Sequence, residues 1–268
     1  MANANHYLTP VWDAPANVHV AMTLRTGGVS SGQFASLNPA THVNDDLAAV
    51  TENRALIKQM LNLPSEPVWL EQTHSNIVVR ADVMTASPLK DWQSCCTADA
   101  SFTSQAGVVC AVMTADCLPL AFCSKDGEKI AAVHAGWKGL LAGIITNTVA
   151  ALLDTTPDLS GFKNLKGLKP SDLLVWLAPA IGAEKFEVGS EVRELFIQKN
   201  PAFAAAFRPA APEKYLADIY QLAKIELAGL GVRQIVGGEF CTVSDPERFY
   251  SYRRDNSTGR MATLIWKD

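Results

Sequence analysis

The chain has 268 residues, 48% hydrophobic and 19% charged, and its 23 basic and 27 acidic side chains leave a formal net charge of −4. That length can bury a sizeable core without staples, and an acidic balance with no basic stripe argues against a nucleic-acid partner. Apolar runs such as 108–113 fall far short of the ~20 residues that cross a bilayer. The first sixteen residues lack a basic region followed by an apolar one, so a cytoplasmic chain with no membrane partner is expected.

Taken in order, the chain interleaves strands and helices. Val18, Val20, Met22 and Leu24 alternate with less apolar residues and lead into the turn at Gly27 and Gly28, a strand pattern. Asp45 and Asp46 can cap a helix over 47–60. Short β-rich runs at 68–70, 77–79, 108–113, 118–122 and 130–133 follow, each too brief and too punctuated for a helix. Over 137–153 the apolar spacing lengthens to helical period through Leu140, Leu141, Ile144, Ile145 and Val149. The segment 155–171 reads as a surface excursion, 172–178 as a buried strand and 191–199 as a helix. Asp218 can cap a helix through Leu227 that Gly229 and Gly231 stop, and 262–266 closes the chain as a strand. The expected fold class is mixed α/β (α+β type), a single domain over 1–268 with a mixed sheet and flanking helices.

Six cysteines are present (Cys95, Cys96, Cys110, Cys117, Cys123 and Cys241), and none forms a CxxC pair. Cys110 and Cys123 lie in apolar runs, where a thiol behaves as a small hydrophobe. Among widely shared motifs there is no GxxxxGK[ST] and no HExxH, and a GxG at Gly229 and Gly231 fails at Gln234.

Three segments place a soft ligand or nucleophile at the end of an apolar run: Gln72-Thr73-His74, Ala115-Asp116-Cys117-Leu118-Pro119 and Val133-His134-Ala135-Gly136-Trp137-Lys138-Gly139. One thiolate and two imidazoles suit zinc, whose catalytic sites take three protein ligands and leave a fourth position open. Zinc would keep Cys117 deprotonated and lower the pKa of a bound water to roughly 7. Equally, a histidine after a strand can be a hydrogen-bonded structural residue, and Cys117 a core thiol.

These strings, with Leu24-Arg25-Thr26-Gly27-Gly28-Val29-Ser30, Ser36-Leu37-Asn38, Pro179-Ala180-Ile181-Gly182 and Tyr252-Arg253-Arg254-Asp255, follow one another in the order of a single family. From about Arg25 to Trp266 the chain resembles the laccase-domain family, also called multicopper polyphenol oxidase-like or peptidoglycan-editing-factor-like and described as purine nucleoside phosphorylases. The resemblance implies a fold similar to the cysteine-histidine toxin-like fold, with zinc ligands at His74, Cys117 and His134. It also implies phosphorolysis of adenosine, inosine, guanosine and methylthioadenosine, together with deamination of adenosine to inosine.

Cys117, His134 and Asp116 are the expected catalytic residues. Arg25, Asn38, Gln72, Lys138, Arg253 and Arg254 are the expected contacts to substrate or phosphate, because arginine forks grip phosphate bidentately. The amides near Gly136–Gly139 offer a further anion site if a helix begins there. Asp99 and Asp116 are candidates, by position, for the acid that protonates the leaving base. Copper is the weaker alternative, with Met113 as a distant axial ligand. A metal-free alternative is a Cys117 nucleophile activated by His134, and a non-purine alternative, which the family name suggests, is an enzyme that edits peptidoglycan precursors.

Overall fold

The structure is a computed structural model and describes residues 5–85, 96–153 and 167–268. Cys95 and positions 155–166 of the expected surface excursion lie outside the described residues. The fold is mixed α/β, and its layers follow from strands that are apolar at nearly every position. A six-stranded sheet runs in the order Gln234–Gly237, Leu173–Leu177, Leu118–Ser124, Ile130–Ala135, Ala100–Thr103, Val78–Arg80. Its inner pairings are antiparallel and both end pairings are parallel.

Successive side chains of a strand point to opposite faces, so continuous apolar runs mean two buried faces. Leu118, Leu120, Phe122, Val133 and Val175 face one core, which the helices Ile144–Leu152, Ser190–Lys199 and Ile219–Gly229 close through Ile145, Phe196 and Leu222. Ala121, Cys123, Ile130, Ala132 and Trp176 face a second core. That core is shared with an antiparallel four-stranded sheet of Tyr7–Leu8, Val18–Thr23, Met261–Lys267 and Cys110–Thr114. The far side of this second sheet, with Ala111, Met113, Leu264 and Trp266, packs on Ile57 of the helix Leu47–Met60. Two sheets therefore lie face to face between helical layers. Among the described residues no helix is long and apolar enough to cross a membrane.

Most expected elements form within a residue or two of their expected bounds, with the expected caps. The Asp46 carboxylate accepts from Ala48 N at 2.7 Å and Ala49 N at 3.1 Å, and that of Asp218 from Gln221 N at 2.9 Å. The helix expected over 137–153 is instead two, Trp137–Ala142 and Ile144–Leu152, because Gly143 adopts φ 91° between them. The apolar spacing runs unbroken through the glycine, so periodicity does not register the break. A three-stranded sheet of Glu187–Gly189, Lys214–Ala217 and Phe207–Ala211 was not expected. Pro209 and the Pro212-Glu213-Lys214 run give that segment a loop's composition, and Arg208–Ala211 is exposed.

Candidate active site

The segments that carry His74, Cys117 and His134 converge on one cavity of about 460 Å³. Cys117 immediately precedes the strand Leu118–Ser124, and the register Pro119↔His134 brings it beside the end of the neighbouring strand, where His134 sits. His74 follows the short strand Leu70–Glu71. Cys117 Sγ lies 3.6 Å from His74 Nε2, and one potential ligand atom from each of His74, Cys117 and His134 lies within 4.8 Å of the others.

A zinc ion fits this set. Ligand distances of about 2.3 Å to sulfur and about 2.0–2.1 Å to nitrogen, at a tetrahedral angle, separate the two donor atoms by about 3.6 Å, as found. His134 Nδ1 is 2.7 Å from Asp99 Oδ1, which leaves Nε2 to serve as the ligand atom, in the usual carboxylate–histidine arrangement. Among the described residues this is the one group of three or more His, Cys, Asp or Glu side chains able to hold a metal.

The backbone around these groups is held under strain. His74 has φ 62° and Asp116 φ 92°, values that disfavour any residue with a Cβ. A fully buried carboxylate, Asp99, opposes the first: it accepts from the amides of Thr73 (3.2 Å), His74 (3.0 Å) and Ser75 (2.6 Å) and from the Ser75 hydroxyl (2.6 Å). One residue thus orients both imidazoles. Asp116 opposes the second by accepting from Thr242 Oγ1 (2.6 Å), Ser251 Oγ (3.0 Å) and Arg253 N (2.6 Å). Gly136 leaves the room the triad needs, since a Cβ there would meet His74 Cδ2 at 2.6 Å and Cys117 Sγ at 3.1 Å.

Without metal the triad is a coupled charge system. Burial acts to raise the Cys117 thiol, but the His134 charge and hydrogen bonds from both imidazoles outweigh it and bring it down to about 6. Burial acts to lower His134, but Cys117 and Asp99 raise it to about 9. Asp99 is likewise opposed by burial and held down to about 2, first by His134 and then by Ser75. Cys110 and Cys123 behave as core thiols, with burial pushing both up to about 12.

The other expected contacts divide. Arg253 lines the cavity, donating from Nη1 to Lys185 O at 3.3 Å and Glu187 O at 3.1 Å, with its guanidinium over Phe186. Gln72 also lines it, but its amide is spent on the Met113 backbone, donating to O at 2.8 Å and accepting from N at 2.7 Å. Arg25 lies outside the cavity lining: its guanidinium donates to Ala35 O and Pro246 O and stacks on Tyr250. Arg254 also lies outside it, donating to Thr242 O, Val243 O, Phe249 O and the Asp255 carboxylate.

Asn38 is fully buried and bonded to Ala40, Asp45 and the Arg260 amide, so it does not reach the cavity. Lys138 is exposed and lies outside the cavity lining, on the six-residue helix Trp137–Ala142. Asp116 lines the cavity, and both its oxygens accept hydrogen bonds.

Sequence reasoning missed Arg260, His42, Phe186 and Ile219, all of which line the cavity. Arg260 carried a readable signal as the one charged residue at the threshold of the apolar strand Met261–Lys267. The others carried none. Trp137, Ile181 and Tyr252 complete an apolar wall, with Tyr252 55% exposed.

A His₂Cys centre beside an apolar cavity, at the converging ends of strands in stacked sheets, defines the class. Residues 19–268 match the model of the family described as multi-copper polyphenol oxidoreductase laccase, and the chain belongs to that family. It is 46% identical over 263 residues to a purine nucleoside phosphorylase of Pseudomonas aeruginosa, covering 98% of each chain. It is 46% identical over 259 residues to the purine nucleoside phosphorylase YfiH of Escherichia coli, covering 97% of this chain and 98% of that one. Among solved structures, the Neisseria meningitidis protein NMB0706 superposes with a TM-score of 0.87 at 43% identity, covering 98% of this chain and 99% of the other. YlmD of Geobacillus stearothermophilus superposes at 0.84 with 28% identity, covering the same shares.

Proposed function

We propose that the chain is a zinc-dependent purine nucleoside phosphorylase acting on adenosine, inosine, guanosine and methylthioadenosine, and that the same cavity deaminates adenosine to inosine. One observation carries the reading: the donor set His74, Cys117, His134 and an apolar wall with Trp137, Phe186 and Tyr252 line a single cavity of about 460 Å³, within the range of small-molecule sites. The names of the relatives at 46% identity support the phosphorolysis.

Zinc is favoured by the donors, since one thiolate and two imidazoles are soft and borderline ligands. Copper is disfavoured as a cluster: of the five histidines, His6 bonds Thr26 and His19 bonds Asp268, away from the cavity. When bound, the ion supplies a Lewis acid in a partly enclosed pocket. The chain's own groups do the rest. The apolar wall takes the planar base and excludes water around it. Asp99 and Asp116 fix the segments that carry the ligands, so that little reorganisation is needed when substrate arrives.

In phosphorolysis a phosphate oxygen bonds to the anomeric carbon as the carbon–nitrogen bond breaks. The electron pair leaves with the base, which takes up one proton. In deamination the oxygen of water adds to the purine carbon bearing the amine, and ammonia departs. The test is to incubate the purified chain with a nucleoside panel, with and without phosphate, and to analyse the products. Free base and ribose 1-phosphate should form only with phosphate, and adenosine alone should yield inosine. Base release that ignores phosphate would sink the phosphorylase reading.

A second reading has its own observation, since Cys117, His134 and Asp99 stand in the order of a nucleophile, its base and an orienting acid. Activity that survives chelation of all metal but is lost on thiol alkylation would favour it.

A further inference from the structure

The cavity lining holds a guanidinium with donors left over. Arg260 is half-buried in the cavity lining, its Nη1 donates to Thr258 O at 2.9 Å and Gly259 O at 3.0 Å, and its backbone amide donates to Asn38 Oδ1 at 3.0 Å. Nε and Nη2, the two donors that form a guanidinium's fork, have no acceptor among the described residues. No carboxylate among them forms an ion pair with Arg260. Asp116 lies within its electrostatic reach, yet both Asp116 oxygens are committed to Thr242, Ser251 and the Arg253 amide. His42 lines the same cavity and adds no negative charge.

A partly buried charge without a partner is unfavourable until an anion meets it. Burial accordingly weakens the hold of Arg260 on its proton, and Cys117 and Asp116 only partly restore it. Arg25 and Arg254, by contrast, spend their donors on carbonyls and on Asp255, and Arg253, which also keeps donors over, is exposed where Arg260 is half-buried.

We propose that Arg260, with its free Nε and Nη2 and with His42 beside it in the cavity lining, is the oxyanion-binding group of the cavity, and that inorganic phosphate is its ligand. The fork accepts two phosphate oxygens side by side. Asn38 is a positioning residue for it, acting through the Arg260 amide. The loop that Arg25 pins at Ala35 O carries Asn38, so these two residues hold the segment that presents Arg260.

This inference rests on the phosphorylase reading, and its test separates the two. Binding of inorganic phosphate to the metal-loaded full chain is measured by calorimetry without nucleoside, and the phosphate KM is measured with inosine. Arg260→Gln should weaken phosphate binding and raise the phosphate KM about 100-fold or more, the scale of two lost charge-assisted hydrogen bonds, while metal stoichiometry and the KM for inosine change by less than about threefold. Arg260→Lys keeps the charge and loses the fork, so it should fall between; it also decides the matter if the glutamine variant does not fold.

Lys138→Gln, outside the lining, should leave phosphate binding unchanged. Phosphate binding within about twofold of the parent in both Arg260 variants overturns the assignment, and a loss in Arg253→Gln alone would move the site to Arg253. Phosphate binding that depends on Arg260 in a chain that cleaves no nucleoside leaves this site standing and fails the phosphorylase reading. A nucleoside 5′-monophosphate is run in parallel. If it binds through Arg260 and inorganic phosphate does not, the ligand is a phosphate ester and the assignment to free phosphate is wrong.

Discussion

Around the thiol and the two imidazoles, each carboxylate has its protein partners. Asp99 accepts from three successive amides, a hydroxyl and an imidazole, and Asp116 from two hydroxyls and an amide. The segment from Tyr252 to Arg260 is built differently: Tyr252 is 55% exposed, and Arg253 and Arg260 enter the cavity with donors left over. The first region is preorganised by its own chain, so it suits an ion that tolerates little error in ligand position. The second is completed only by what binds. Complete internal satisfaction marks a scaffold for a metal; unspent donors mark a surface for a substrate.

If that division is right, removing a ligand should be the largest effect. Cys117→Ala should lose stoichiometric zinc and reduce phosphorolysis to background while the chain keeps its far-ultraviolet dichroism, because Cys117 lies at a strand end and outside the cores. Full zinc occupancy in that variant, read by elemental analysis, would remove Cys117 from the site. Asp99→Asn comes next. An amide offers one acceptor oxygen where five donors now converge, so metal affinity in a chelator competition should fall about 10- to 100-fold. An unchanged affinity would make Asp99 a fold residue only. Gly136→Ala should be milder, since the methyl group meets the His74 ring edge at 2.6 Å and that ring can shift at the cost of ligand geometry. A several-fold loss of metal affinity is expected, with thermal stability of the metal-free chain nearly unchanged.

The same division explains what could be read in the sequence. The layered strands were legible because Leu118–Ser124, Ile130–Ala135 and Leu173–Leu177 are apolar along nearly their whole length, as strands buried on both faces must be. The triad was legible because it occupies the ends of such strands. The Gly143 break was invisible, because a glycine at φ 91° leaves the surrounding apolar spacing intact. Two of the expected arginines lie outside the cavity lining for a physical reason. Arg25 and Arg254 sit in motif-like strings beside turns, and only tertiary structure reveals that carbonyls consume their donors. Arg260 had no string to advertise it, and its exposure to the cavity depends on residues 222 positions away, where Asn38 holds its amide.

The smallest expected effect tests the comparison from the side of the satisfied arginines. Arg254 donates to Thr242 O at 3.0 Å, Val243 O at 3.2 Å and Phe249 O at 3.0 Å, and pairs with Asp255 through Nε and Nη2. Arg254→Gln cannot span these acceptors, so two or more partly buried carbonyls lose their donor, and a stability loss of about 1–3 kcal/mol is expected. The exposed pair with Asp255 adds little, as surface ion pairs do. Because none of these donors reaches the cavity, the phosphate KM should stay within about twofold of the parent below the melting transition. Denaturant unfolding and steady-state kinetics on one preparation separate the two quantities. A phosphate KM raised tenfold with stability intact would place Arg254 among the substrate-facing groups, and the boundary between scaffold and binding surface drawn through the pair Arg253 and Arg254 would be wrong.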